Sequence, residues 1–274
     1  MEYNVTSKIQ EHYDLASPYY EKLWGKHIHH GYWVTGKESK EDAAQNLIEL
    51  LIAKSGLKNK SKVLDVGCGI GGTSIYLARK YECDVTGITI SPVQVEMAYK
   101  AALELPIKNI PKFQVEDANN ITIKDKFDII WSVEMISHLN DRKNLFQRAS
   151  ELLKPGGKMC ITDWLADDNL SASEKSKFIK PIEKGMLVSL PTLSEYKEHI
   201  DANGFRLVYY EDISSNVART WDITSEAIRP RALWSLAREH SKEFIEFLQS
   251  FKAMRNGFRS GAFRYPAMIL EKKL

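Results

Sequence analysis

Between residues 61 and 165, short β-branched apolar runs alternate with longer stretches of helical periodicity. The β-rich runs are KVLDVG, CDVTGITI, KFQVED, FDIIWSV and KMCITDW; TSIYLARKY, PVQVEMAYKAALE and RKNLFQRASELLK carry helical patterns between them. Such alternation builds a parallel sheet covered by helices on both faces, because each return to the next parallel strand crosses over the sheet. Upstream, Ala43, Ala44, Leu47, Leu50 and Leu51 recur at helical spacing and predict a helix from Ser39 to about Lys54. Residues 171–203 and 218–256 read as helical, while FRLVYYEDI (205–213) and RYPAMILEKK (264–273) read as strands. Pro266 suits a strand start or an edge, having no N–H for a ladder. LKPGG predicts the end of a helix, with glycine turning the chain into the next strand.

Composition adds boundaries rather than a function. The chain has 274 residues, 43% hydrophobic and 27% charged, enough for one large α/β domain or two small ones without disulfides or a structural metal. Lys+Arg 38 against Asp+Glu 36 gives a formal charge of +2, with basic and acidic residues interleaved. That balance argues against a nucleic-acid partner, which calls for a basic stripe. Cys68, Cys83 and Cys160 are dispersed and lack CxxC spacing, so reduced, buried thiols in a cytoplasmic protein are expected. MEYNVTSKIQEHYD has no apolar signal core, and no apolar run reaches membrane-spanning length.

Chemistry enters with Val63-Leu64-Asp65-Val66-Gly67-Cys68-Gly69-Ile70-Gly71-Gly72, a strand running through glycines into a helix. Glycines there let a ligand approach the backbone closely. Gly67, Gly69 and Gly72 also satisfy the GxGxxG dinucleotide spacing, so the loop alone is ambiguous. Asp65 would repel a pyrophosphate but suits an ammonium or sulfonium. Asp117, followed by Ala118 after the third strand, can accept a hydrogen bond from an adenine amino group. Together they favour S-adenosylmethionine.

DVGCGIGG, GITISPVQ, EDA, FDIIWSVEMISHLNDR and LKPGG, in that order, resemble the class I S-adenosylmethionine-dependent methyltransferases. More narrowly, the chain is similar to the tocopherol C-methyltransferase-like group with the sarcosine/dimethylglycine and alkaloid N-methyltransferases. HYDLASPYYEKLWGKHIHHGYW and RNGFRSGAFRY extend the resemblance to nearly the whole chain, and GITISPVQ is also similar to the cyclopropane-fatty-acid synthases. The resemblance implies a Rossmann-like, mostly parallel sheet of seven strands in a single domain, 1–274. It would comprise an N-terminal helical cover (1–56), a cofactor-binding core (57–213), a helical lid insertion (214–260) and a terminal strand (261–274). It also implies that Gly67 and Gly69 lie under the methionine portion of S-adenosylmethionine and that Asp117 and Ala118 meet its adenine. Ser132 and Val133 would line the adenine floor. Thr89, beside Ile90, replaces the acidic residue most such enzymes direct at the ribose, and Gln94 would share that duty. Tyr13 and His29 would close over the cofactor's carboxylate.

Methyl transfer from a sulfonium is an in-line displacement that needs alignment, exclusion of water and, for some acceptors, a base. His138, just beyond the fourth strand, is the leading base candidate, or else a hydrogen-bonded histidine opening the next helix. Asp163 could orient it, bind substrate or be a loop carboxylate; Glu134 could bind substrate or an N-terminal backbone group. His27, His29 and His30 lack a paired acidic or cysteine ligand, so no metal is assigned. Trp33, Trp164, Trp221, Trp234, Tyr19 and Tyr20 suit a flat or apolar acceptor. Arg219, Arg229, Arg231 and Arg238 offer an anion site or a solvated helix face. The expected partner is a small-molecule methyl acceptor, by C-, N- or O-methylation, and a homodimer is compatible with the sequence. A C-methyltransferase acting on an isoprenoid or lipid, a catalytically silent cofactor-binding protein and a nicotinamide oxidoreductase are the alternatives.

Overall fold

The computed structural model describes residues 6–11, 13, 14, 17, 25–227 and 242–273. Strands β1 (Lys62–Val66), β2 (Asp84–Thr89), β3 (Lys112–Val115), β4 (Phe127–Val133), β5 (Leu153–Thr162), β7 (Phe205–Asp212) and β9 (Pro266–Lys272) form a seven-stranded sheet in the order β3-β2-β1-β4-β5-β9-β7. β1 pairs in parallel with β2 and β4, while β9 runs antiparallel to both β5 and β7. A two-stranded sheet joins the short β6 (Leu165–Ala166) and β8 (Phe263–Arg264). The expected mostly parallel sheet is what forms, and Pro266 begins its strand, where no ladder donor is lost.

Helix α1 (Lys40–Ser55) starts at Ser39, whose hydroxyl accepts the Asp42 N–H, and stops at Gly56 in the left-handed region. Its buried face, including Leu47, Ile48 and Leu51, packs on the sheet through a core that also holds Val63, Trp131 and Cys160. A second core on the opposite face gathers Leu64, Val66, Ile130, Phe146 and Met159 around helix α4 (Arg142–Leu152). Neighbours in one strand thus divide between the two cores, as alternating side chains require. Helices α2 (Gly72–Tyr81) and α3 (Pro92–Leu103) complete the wrapping around β1–β3.

LKPGG departs from its expected role. α4 ends without a glycine: Leu153 is extended, and Pro155, Gly156 and Gly157 lie inside β5, where the register with β4 shifts between Phe127 and Ile129. Proline disfavours the helical region for Lys154 before it, so the chain leaves the helix early and absorbs the glycines as an irregularity in the strand.

Helices α5 (Lys180–Met186), α6 (Leu193–Ala202), α7 (Arg219–Ala227) and α8 (Lys242–Ser260) follow the core strands. The loop at 30–33 is fastened to the segment before and within α7. Trp33 N–H donates to Asn216 O at 3.1 Å, Asn216 Nδ2 donates to Trp33 O at 2.9 Å, and Gly31 N–H donates to Thr220 Oγ1 at 3.2 Å.

Candidate active site

The strand order reverses between β1 and β4, and the carboxyl ends of the strands open a crevice there. Gly67 turns the chain out of β1 at φ +80°, and a Cβ at this position would fall on the Met135 side chain, so only glycine fits. A first cavity is lined by Gly67, Gly69, Thr89, Ile90, Gln94, Asp117, Ala118 and Val133 from the core, with Thr6, Ile9, Tyr13 and Ile28 from the N-terminal segment. Thr89 Oγ1 donates to Gln94 Oε1 at 2.6 Å, and Gln94 Nε2 donates to Ser17 Oγ at 3.1 Å, which fixes the amide at the cavity edge. Asp117 Oδ1 accepts the backbone and side-chain N–H groups of Asn119 at 2.8 and 2.9 Å.

A second cavity is lined by Tyr13, Ile28, His29, His30, Glu134, His138, Trp164, Met186, Trp221, Phe247 and Phe251. It shares Tyr13, Ile28, Glu134 and His138 with the first. His138 Nδ1 lies 3.3 Å from Leu187 O, and its Nε2 lies 3.0 Å from the Tyr13 hydroxyl. A carbonyl can only accept, so Nδ1 carries the proton and Nε2 accepts from Tyr13. Burial, followed by the Glu134 and Asp163 charges, raises the Tyr13 phenol well above its ordinary range, which keeps it a donor.

Glu134, at φ +54°, is the hub of the wall between the cavities. Its Oε1 accepts His30 N–H at 2.7 Å, His30 Nδ1–H at 2.9 Å and the Tyr265 hydroxyl at 2.7 Å. His30 Nε2 accepts the Trp221 indole N–H at 2.6 Å. Because that indole only donates, the His30 proton sits on Nδ1, and the ring meets Glu134 as a neutral donor rather than as an ion-pair partner. Burial pushes the Glu134 carboxyl up, but the hydrogen bonds it accepts from the His30 ring and backbone outweigh burial and hold it below the ordinary value.

A third, more polar cavity is lined by Lys26, His27, His29, Asp65, Gly67, Gly69 and Thr73, among others. Asp65 is buried, accepts the Ser74 hydroxyl at 2.6 Å, and is pushed up to about 6 by burial against that hydrogen bond. Burial first, then His29 and Lys26, lowers His27 to about 3; burial also lowers His29. The two imidazoles are therefore neutral near pH 7, and Asp65 is the group in this cavity suited to a cation.

The predicted positions separate accordingly. Tyr13, Gly67, Gly69, Thr89, Ile90, Gln94, Asp117, Ala118 and Val133 share the first cavity; Asp65 lines the third, and His29 lines the second and third. Ser132 is fully buried and lines none of them. Asp163 is also fully buried outside the cavities: its Oδ2 accepts the Ser137 N–H at 2.8 Å and the Tyr196 hydroxyl at 2.7 Å. It braces the turn that presents His138. Glu134 meets the N-terminal backbone at His30. Trp33 is buried and gives its indole N–H to Glu38 O at 3.2 Å, away from the cavities, and Arg219 is exposed. Tyr19, Tyr20, Arg229, Arg231, Trp234 and Arg238 lie outside the described residues. Among the described residues, no group of three or more His, Cys, Asp or Glu could hold a metal ion, and no helix is long and apolar enough to cross a membrane. Tyr265, Met186 and Phe251 escaped the sequence reading, and His30 entered it only as a metal-ligand candidate. They are brought in by loop 30–33, the residue between β8 and β9, α5 and α8, whose contacts have no local periodicity.

A family model described as mycolic acid cyclopropane synthetase matches residues 2–265. The chain belongs to this family. It is a class I S-adenosylmethionine-dependent methyltransferase. Family relatives include chloroplastic tocopherol O-methyltransferase of Arabidopsis thaliana, 32% identical over 97% of this chain and 82% of the relative. The 27-O-demethylrifamycin SV methyltransferase of Amycolatopsis mediterranei is 29% identical over 90% of this chain and 91% of its own. The cyclopropane synthase MmaA2 of Mycobacterium tuberculosis shares the family fold, with a TM-score of 0.86, 21% identity and coverage of 97% and 98% of the two chains.

Proposed function

We propose that this methyltransferase binds S-adenosylmethionine across the first and third cavities and methylates a small, largely apolar, ring-bearing acceptor held in the second. The observation that carries this reading is the shared wall: Tyr13, Ile28, Glu134 and His138 border both the first cavity and the aromatic one. A methyl donor and an acceptor bordered by the same residues lie side by side, where they could meet in line with water kept out. The named relatives act on tocopherol and on a rifamycin, which supports a ring-bearing acceptor.

In this reading Gly67 and Gly69 lie under the methionine portion, Asp65 takes its ammonium, Asp117 and Ala118 meet the adenine, and Gln94 with Thr89 serves the ribose. Val133 lines the floor, while Tyr13 and His29 close the site. When bound, the cofactor supplies an electrophilic methyl group. The protein aligns the acceptor with it and removes the acceptor's proton: as the acceptor O–H or N–H bond breaks, its proton passes to the Tyr13 oxygen and the Tyr13 proton passes to His138 Nε2. The apolar wall also suits an isoprenoid or lipid carbon, the second reading. We read the chain as one domain with an N-terminal cover and a lid at 214–260. The near-balanced charge supports a small-molecule partner rather than nucleic acid, and the three buried free thiols support a cytoplasmic setting.

The test is incubation with methyl-labelled S-adenosylmethionine and a panel of phenols, aryl amines and isoprenyl alcohols. Label should appear on a ring-bearing acceptor in step with S-adenosylhomocysteine. Label on the isoprenyl compounds alone selects the second reading, and cofactor binding with no label on any acceptor overturns both.

A pH dependence follows from Asp65. A cofactor ammonium binds its ionised form, so affinity should weaken as pH falls through about 6, approaching tenfold per pH unit. His27, lowered to about 3, titrates below this window, and burial shifts His29 down as well. Calorimetric titration from pH 7.5 to 5 should show the dependence in the native protein and its loss in Asp65→Asn. Equal slopes in the two proteins would refute the assignment.

A further inference from the structure

We propose that the aromatic cavity is built to grip a hydroxyl on the acceptor's carbon skeleton, apart from the atom that is methylated, between the Trp164 indole N–H and Nε2 of His29. This rests on the reading of that cavity as the acceptor site. Both residues line it, and both are more than nine-tenths buried, at 7% and 8% exposure. Trp164 Nε1 and His29 Nε2 are also among the buried polar atoms that have no hydrogen-bond partner among the described residues. Buried polar atoms in native proteins are nearly always paired, so two orphans on residues that line one cavity point to a partner that arrives with the ligand.

Their chemistry specifies that partner. An indole N–H can only donate. His29 Nδ1 lies 2.8 Å from His30 O, which can only accept, so His29 carries its proton on Nδ1 and presents Nε2 as an acceptor. Burial holds the ring neutral, so Nε2 keeps its lone pair. A hydroxyl is the small group that accepts from the first and donates to the second. A carbonyl or ether would satisfy Trp164 alone, and an ammonium would satisfy His29 alone. Of the other polar groups of the cavity, Trp221 Nε1, both His30 nitrogens and Glu134 Oε1 belong to one network, and His138 Nε2 faces Tyr13. The remaining wall is apolar, with Ile28, Met186, Phe247 and Phe251. Trp164 stands 6.4 Å from His138, ring centre to ring centre, so one aromatic ring could reach both the Tyr13–His138 pair and this subsite. Trp164 and His29 are thus specificity-determining residues for a hydroxylated, apolar acceptor.

The experiment titrates the S-adenosylhomocysteine complex with 1-naphthol, 1-methoxynaphthalene and naphthalene by calorimetry. The native protein should bind 1-naphthol about tenfold more tightly than naphthalene, the yield of two modest hydrogen bonds after desolvation, with the methoxy probe between them. Trp164→Phe keeps an aromatic ring but removes the donor, and should cut the preference to about threefold or less, with S-adenosylhomocysteine affinity unchanged. An undiminished preference in Trp164→Phe overturns the inference and leaves the acceptor cavity standing. Equal binding of 1-naphthol and naphthalene by the native protein overturns it without any variant. Binding of none of the probes removes the ring-bearing acceptor reading, and this inference with it.

Discussion

His138→Ala should lower kcat for the labelled acceptor by about 10²–10⁴-fold, the range typical of a general base, while the affinity for S-adenosylmethionine changes far less. The expectation comes from the tautomer: with Nδ1–H directed at Leu187 O, Nε2 is left to take a proton through the Tyr13 hydroxyl. Tyr13→Phe removes the bridging oxygen but keeps the ring that edges His138 at 5.7 Å, so its kcat should fall as well. The double variant should lose little more than the worse single one, because the two act as a unit. Full kcat in His138→Ala would exclude the relay. The acceptor would then be nucleophilic without deprotonation, as an electron-rich carbon or a free amine is.

Glu134→Ala should cost about 3–5 kcal/mol of stability, since it strands the His30 N–H, the His30 Nδ1–H and the Tyr265 hydroxyl in a buried site. Tyr265 keeps a contact with Thr162 Oγ1 at 3.1 Å, so the largest loss falls on His30. Glu134→Gln retains an acceptor at Oε1 and should lose far less. The two variants also separate by pH. The folded-state pKa of Glu134 is depressed, so its contribution is complete above the ordinary glutamate value of 4.5 and is lost as pH falls through the folded value. Asp65 and Asp163, both raised to about 6, have the opposite sign: their contribution is present below 3.8 and is lost as pH rises through about 6. Urea midpoints recorded down to pH 3.5 should show an acid loss in the native protein that Glu134→Gln lacks. Native-like midpoints for Glu134→Ala at pH 7 would mean that the network contributes nothing net.

The parts of this molecule legible in the sequence were those set by local rules. Strand runs with flanking helical periodicity locate β1–β5, and the glycines after Val66 mark the place where only a residue without Cβ clears Met135. Asp117 and His138, which line the first cavity, were picked out because each follows a strand end, and Gln94 beside them came through the GITISPVQ resemblance. The Glu134 network was not legible: its hydrogen bonds join His30 to Glu134, Tyr265 to Glu134 and Trp221 to His30 across sequence separations of 104, 131 and 191 residues. Nothing in the chemistry of HIHHGYW distinguishes His30, whose two nitrogens serve this network, from His29, one of whose nitrogens is left for a ligand. The misplaced LKPGG turn had a different origin, in that proline's effect on the residue before it prevailed over glycine's habit of closing helices.

The position of β9 has a consequence for how the molecule assembles. β7 reaches the sheet only through β9, which lies between it and β5 and comes from the far end of the chain. Some fifty residues that emerge after β7 must settle before it gains a neighbour, and pairings that span long loops form late. Folding should therefore proceed from a five-stranded nucleus, with β7, β9 and the Tyr265 end of the Glu134 network joining together. The chemistry-bearing wall would then be among the last parts of the protein to take shape and among the first to come apart.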